Sequence, residues 1–281
     1  RDVIVNQFYV LSNVAEGARA YPYKDYTLTA SWNHDEHDYQ FYEGYSATYD
    51  ADGYLDHYTC DCGKYFIKEN DEYIEVQKED VTLPRLVVRY PLWIGKTRVS
   101  NVNADDILGD GKVSFDVTTN TLYLNNATIK DGGNTKFGWG INYRGTDDFT
   151  IVCEGINNVS DTVTRSRMSA GVLIGDPEYS YSTSVCPVVT ITLNENAELI
   201  ADGANVYNSS DYHYSLGFYN SSYKNMLING KGSITARSGN GKEGDESNEY
   251  CYLYGLCANG NATFENGGAV YVDGTETMEY T

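Results

Sequence analysis

One unit, present in four copies, constrains this chain more than any other feature. GINYRGTDDFTIVCEGINNVS, from Gly140 to Ser160, is the first full copy. Looser copies are AGVLIG (from Ala170) with PVVTITLNENAELIADG (from Pro187), LGFYNSSYKNMLINGKGSITARSG (from Leu216) and YGLCANGNATFENGGAVYVDG (from Tyr254). Each reads as a Gly, a short apolar strand, a polar turn, a second strand, a Gly or Asn turn and a third short strand. The matching positions Ile151, Ile191, Ile228 and Phe264 lie 40, 37 and 36 residues apart, a period that marks a repeat architecture.

Alternation within the units says which side faces in. Phe149, Ile151 and Cys153 alternate with Thr150 and Val152, and later copies put Val189, Ile191 and Leu193, then Met226 and Ile228, then Ala262 and Phe264, at the equivalent places. Strand side chains change face with period 2, so these residues form an interior ladder. A single unit cannot bury that face, and only stacked neighbours close a core. The repeats predict an all-β parallel β-helix of about four to five coils, three strands per coil. A sandwich or barrel would also show short strands with frequent turns. Against that alternative, the length variation collects at one junction, in Asp161 to Ser169, Ala204 to Ser215 and Asn240 to Tyr252, as it does on one face of a solenoid.

The boundaries predicted are a small β-rich module over 1–86 and the β-helix over 87–281. Leu92 to Ile94 and Thr97 to Ser100 read as a hairpin around Gly95-Lys96. Val113 to Phe115 and Thr121 to Leu124 make a second pair across Asn120, a cap for the first coil. The last stretch, GTETMEYT, carries no clear cap, which predicts a natural protein that continues further. The N-terminus RDVIVNQF has no secretory pattern, and no run of 18 apolar residues offers a membrane span.

The 281 residues carry a formal charge of −20, which argues against a nucleic-acid or anionic-membrane partner, since phosphate recognition starts from a basic patch. Three of the four His, His34, His37 and His57, fall in the N-terminal module with Cys60 and Cys62. The candidate zinc set is therefore His57, Cys60 and Cys62 with His34 or His37, sulfur and nitrogen donors of the kind zinc takes. The alternative is that these histidines are solvated turn residues. Cys153 reads as a small buried hydrophobe. Cys251 and Cys257, six apart, would stand ~20 Å from one another on one extended strand, too far to bridge, unless a loop between them folds back.

Tyrosine is the anomaly of the composition, with 27 residues. The long insertions bring Tyr179 and Tyr181, then Tyr207, Tyr212 and Tyr214, then Tyr250, Tyr252 and Tyr254, with Trp139 just ahead of the first coil. Sugars pack their C–H faces on flat rings that lose little entropy on contact. A glycan surface of Trp139, Tyr179, Tyr181, Tyr212, Tyr214, Tyr250 and Tyr252 is predicted; the bland alternative is that each ring simply covers the flank of the repeat. Asp147 and Asp148, with Asp105, Asp106 and Asp110, could offer oxygens to calcium, or serve their own turns.

An enzyme is not expected. A hydrolase needs paired carboxylates, and side chains of the adjacent Asp147 and Asp148 would point apart on a strand. Lys112, Arg144 and Arg237 stand outside any lyase motif, His213 stands alone, and no nucleophile pattern or phosphate loop is present.

Two stretches resemble known families. DGYLDHYTCDCGKYF, from Asp52 to Phe66, looks like a segment of large surface proteins of clostridia-type bacteria, although those separate the two Cys by two residues and only Asp61 intervenes here. YPLWIGKTRVSNVNADDILGDGKVSFDVTTNTLYLNNATIKDG, from Tyr90 to Gly132, with the repeats that follow to about Gly274, is similar to a carbohydrate-binding domain family of secreted bacterial proteins. That resemblance implies a right-handed parallel β-helix, secretion or cell-surface display, bound calcium, and binding of a cell-wall or plant polysaccharide without catalysis. A protein-binding adhesin or passive stalk is the alternative, and a β-helix lyase or hydrolase the third.

Overall fold

The computed structural model describes residues 37–177, 186–207, 213–242, 251–265 and 269–274. Strand accounts for 55% and helix for about 2%, an all-β protein with several parallel sheets. The chain divides into two compact units, Arg1–Tyr42 with His57–Lys78, and Glu43–Asp56 with Glu79–Thr281.

The smaller unit holds one antiparallel sheet in the order Gln40–Tyr42, His57–Thr59, Tyr65–Glu69, Glu72–Val76. Its last hairpin pairs Glu69 with Glu72 across Asn70 and Asp71, both at positive φ (47° and 67°). Two such residues match the twist that a tight hairpin requires. Tyr73 stacks on Tyr39 at 3.7 Å and meets Tyr58 edge-on at 4.9 Å. Among the described residues of this unit only His57, Cys60 and Phe66 are buried.

In the larger unit each repeat gives one strand to each of three parallel sheets, always in the same order. The first sheet runs Phe137–Tyr143, Met168–Ile174, His213–Asn220, Cys251–Ala258. The second runs Thr121–Asn125, Phe149–Glu154, Val189–Leu193, Met226–Gly230, Ala262–Phe264. The third runs Thr128–Lys130, Ile156–Ser160, Glu198–Asp202, Ser233–Arg237, Ala269–Asp273. Antiparallel strands open the first two sheets: the hairpin Arg89–Ile94/Thr97–Ser100 lies on Phe137–Tyr143, and Val113–Asp116 on Thr121–Asn125.

The expected register is present. Leu122, Ile151, Ile191, Ile228 and Phe264 face one another strand by strand. Thr121–Asn125 is thus both half of the cap pair and the first parallel row. Ile151, Ile191 and Ile228 are buried, but Phe264 is 49% exposed, because no described strand of the sheet lies beyond it. Ile94, Ile141, Val172 and Phe218 form a second interior column, and Ile129, Val159, Ala201 and Ala236 a third.

The Gly that opens each copy has a specific duty. Gly140, Gly171, Gly217 and Gly255 share one register position, and the first-sheet ladder skips it. A Cβ on Gly171 would stand 2.5 Å from the Asp202 nitrogen, and one on Gly217 2.4 Å from the Arg237 nitrogen. The long strands therefore cross the backbone of the third sheet where only a hydrogen atom fits. Ile141, Val172 and Phe218, directly after the glycine, join the interior; Phe137, Trp139, Met168 and Leu216 before it join a separate apolar cluster, to which Leu173 also belongs.

Candidate functional site

The structure redistributes the aromatic face. Trp139 is not displayed to solvent: it is 5% exposed, in that separate cluster, with Arg144 over its ring at 5.1 Å. It falls before the glycine break, where simple alternation no longer predicts the facing. Phe137, Met168, Tyr214 and Tyr252 make one column across successive strands. Tyr214 and Tyr252 stack on each other, centroids 5.0 Å apart and 12° from parallel. Each ring gives a face to its neighbour, so the pair acts first as a cover for the cluster beneath. Tyr179, Tyr181, Tyr212 and Tyr250 lie outside the described residues.

The first insertion is tied down by a buried ion pair. Arg165 donates to Asp161 through Nε (2.9 Å) and Nη2 (2.6 Å), and also to the carbonyls of Asn134 and Gly132. The Ser169 hydroxyl donates to Asp161 at 2.8 Å and accepts from the Ala204 amide, while that of Ser215 donates to the Ala204 carbonyl. His213 is fully buried, and among the described residues neither of its ring nitrogens finds a hydrogen-bond partner. Although Ser, Asp and His are all present, the hydroxyls hold backbone and the carboxylate holds Arg165, which is the work of a structural clamp.

The acidic turns hold backbone, their own or that of a later copy. Asp148 Oδ1 accepts the Val188 amide, Asp106 Oδ1 accepts the amides of Asp110 and Gly111, and the Asp147 carbonyl accepts the Tyr143 hydroxyl. Among the described residues none of these aspartates joins a group of three potential ligands. The three basic residues are engaged as well: Arg237 forms two bonds to Asp202, Lys112 lies 3.9 Å from Asp110, and Arg144 sits over Trp93 and Trp139 with Asp176 at 3.6 Å.

A concave site does exist, elsewhere in the larger unit. An open cleft of about 470 Å³ is lined by Tyr49, Asp50, Arg85, Tyr90, Asp105 and Tyr123, with Asn101, Ser114 and Asp116 among its other polar walls. Its floor is the antiparallel pair Val113–Asp116/Thr121–Asn125, where Tyr123 stands opposite Ser114. In that strand Leu122 and Leu124 go inward, so Tyr123 must go outward and is 43% exposed. Tyr49, 56% exposed, sits on a turn closed by Thr48, whose hydroxyl oxygen accepts the Asp50 and Ala51 amides. Asn101 locks the wall: its amide donates to the carbonyls of Tyr49 and Leu86, and its oxygen accepts the Val88 amide. The Asp116 carboxylate accepts the Thr119 hydroxyl (2.8 Å) and the Thr118 amide (2.8 Å), which hold its pKa below the usual carboxylate value. It is an ionised acceptor in the cleft wall. The sequence signal for this cleft was the outward tyrosine in TLYLN; its other walls come from distant segments.

In the smaller unit the candidate zinc ligands are only partly those expected. His57 is buried and stacked between the rings of Tyr42 and Tyr65 at 5.5 and 5.6 Å. His37, one of the two alternatives for the remaining position, does reach the sulfurs: His37 Nδ1 lies 3.4 Å from Cys60 Sγ and 3.6 Å from Cys62 Sγ. The sulfurs reach it from a turn, with the Gly63 amide donating to the Cys60 carbonyl at 2.8 Å. The Cys60 thiol is lowered to about 6, first by the Cys62 amide and then by His37. By contrast, burial in the interior ladder pushes Cys153 up to about 12. His34 lies outside the described residues.

Compared with protein families, with curated proteins and with solved structures, the chain finds no match in any of the three.

Proposed function

We propose that this chain is a non-catalytic polysaccharide-binding protein, secreted or carried at the cell surface, made of a right-handed parallel β-helix and a small β-rich unit. The architecture is supported by three parallel sheets that each take one strand per repeat in constant order. Handedness and extracellular placement rest on the family resemblance.

The observation that carries the function is the cleft. Its volume of about 470 Å³ falls within the ~300–1,000 Å³ of ordinary ligand sites. It offers ring faces at Tyr49 and Tyr123 for C–H surfaces, and carboxylates and a guanidinium for hydroxyls. Asp116, held ionised by its own turn, suits an acceptor of sugar hydroxyls and not a general acid, which needs a raised pKa.

Affinity electrophoresis through soluble neutral and acidic polysaccharides, with and without a calcium chelator, tests the reading. Retardation of the wild type, reduced by Tyr49→Ala with Tyr123→Ala, is expected. Unretarded wild type in every polymer would sink it, and release of shorter sugars on incubation would make the cleft an active site.

A further inference from the structure

Outside the cleft, the most chemically specific cluster is the one in the smaller unit. From its geometry we infer that His37, Cys60 and Cys62 form a zinc-binding site. Among the described residues they are the one group of three or more metal-type ligands drawn together, with donor atoms all within 4.8 Å.

The distances decide which metal chemistry fits. Zinc takes sulfur at ~2.3 Å and imidazole nitrogen at ~2.0–2.1 Å in tetrahedral geometry, which sets sulfur–nitrogen edges of ~3.5 Å and a sulfur–sulfur edge of ~3.8 Å. The observed sulfur–nitrogen separations are 3.4 and 3.6 Å. One nitrogen is thus nearly equidistant from two sulfurs, as an ion between them requires. A single N–H donor would be expected to favour one. Two sulfurs and an imidazole suit zinc over hard cations such as calcium, which prefer oxygen.

The surroundings prepare the donors. Phe66, itself buried, packs on the His37 ring at 4.8 Å and fixes its orientation. The tight turn at Gly63, φ 82°, brings Cys62 back toward Cys60. Lys64, beside both sulfurs in the chain, is held by Glu75 at 2.6 Å. With so few buried side chains among the unit's described residues, an ion there would also add folding energy where packing contributes least.

The test uses the whole chain, reduced and stripped of metal, titrated with cobalt(II) and then zinc(II). One cobalt per chain is expected, with thiolate charge-transfer and tetrahedral ligand-field absorption, displaced by one equivalent of zinc. His37→Ala, Cys60→Ser and Cys62→Ser should each weaken zinc binding by more than the ~10–100-fold typical of losing an outer-shell partner. Cys62 is exposed, so its serine variant should keep the fold. Cys257→Ser, in the other unit, should bind as the wild type does. No charge-transfer band, an unchanged band in the Cys62→Ser protein, or recovery of Cys60 and Cys62 as a disulfide from protein kept under reductant would overturn the proposal.

Discussion

In the repeat region an interior side chain is covered by the same position of the neighbouring copy, whereas in the smaller antiparallel unit rings on one sheet cover one another. The first arrangement gives continuous columns such as Ile94, Ile141, Val172 and Phe218, all fully buried. The second leaves Tyr73 over a third exposed even while it stacks on Tyr39. Stacked copies supply their own core, and a lone small sheet draws on surface stacking and on whatever its polar cluster can hold. The contrast also separates two kinds of cysteine, an inert thiol in a column and an ionisable one at a turn.

The sharpest way to break the contrast is to empty a column. Phe218→Ala should cost ~3–5 kcal/mol, as large-to-alanine changes in cores do, and Asp161→Ala a similar ~3–5 kcal/mol, because it leaves the Arg165 charge buried and unpaired. Both are read from denaturant unfolding. Tyr73→Ala in the smaller unit should cost distinctly less. Gly217→Ala comes next at ~1–3 kcal/mol, the range of overpacking, since its new methyl meets third-sheet backbone; a neutral result would mean the crossing is looser than 2.4 Å implies.

Smaller effects separate the two tyrosine sets. Replacing Tyr49 and Tyr123 by Ala should weaken polysaccharide binding by ~0.5–1.5 kcal/mol per ring with little change in stability. Replacing Tyr214 and Tyr252 should do the reverse, removing a stack worth ~0.5–1.5 kcal/mol of stability and leaving retardation in the gel unchanged. If the second pair alone abolishes binding, the glycan surface is the column and not the cleft.

The smallest signal is the Cys60 titration. Thiolate absorbance of metal-free, reduced protein should rise through about pH 6 and lose that step in Cys60→Ser. Because the folded pKa is depressed below the ~8.5 of a free thiol, the linked stability is complete only above that value, and it is lost as pH falls through about 6. A first step near pH 8.5 would remove the environment assigned to Cys60.

The sequence made the interior ladder legible because the alternation around Ile151, Ile191 and Ile228 is local, and because Gly punctuates every copy. It did not reveal what the glycine does. Trp139 read as part of the aromatic face because it stands just ahead of the first coil, whereas the strand ahead of the glycine packs into a second buried cluster. Of the candidate histidines the cluster takes the less local one: His57 lies nearer to Cys60 in sequence, but its strand turns it between Tyr42 and Tyr65, while His37 arrives from 23 residues away. The cleft draws Tyr49, Arg85, Asn101 and Tyr123 from separate segments, and only the outward position of Tyr123 was written locally.

The shared register of Gly140, Gly171, Gly217 and Gly255 makes length an adjustable property of this molecule. Joining Gly171 directly to Phe218 would delete one copy, yet Phe149–Glu154 would meet Met226–Gly230 in the pairing that both now make with Val189–Leu193, and Ile156–Ser160 would meet Ser233–Arg237 as both now meet Glu198–Asp202. Duplication works by the same rule. Such a chain can be shortened or extended by whole copies during its history, or by a cloning step, while the cleft at Tyr49 and Tyr123 and the cluster at His37 keep their sequences untouched.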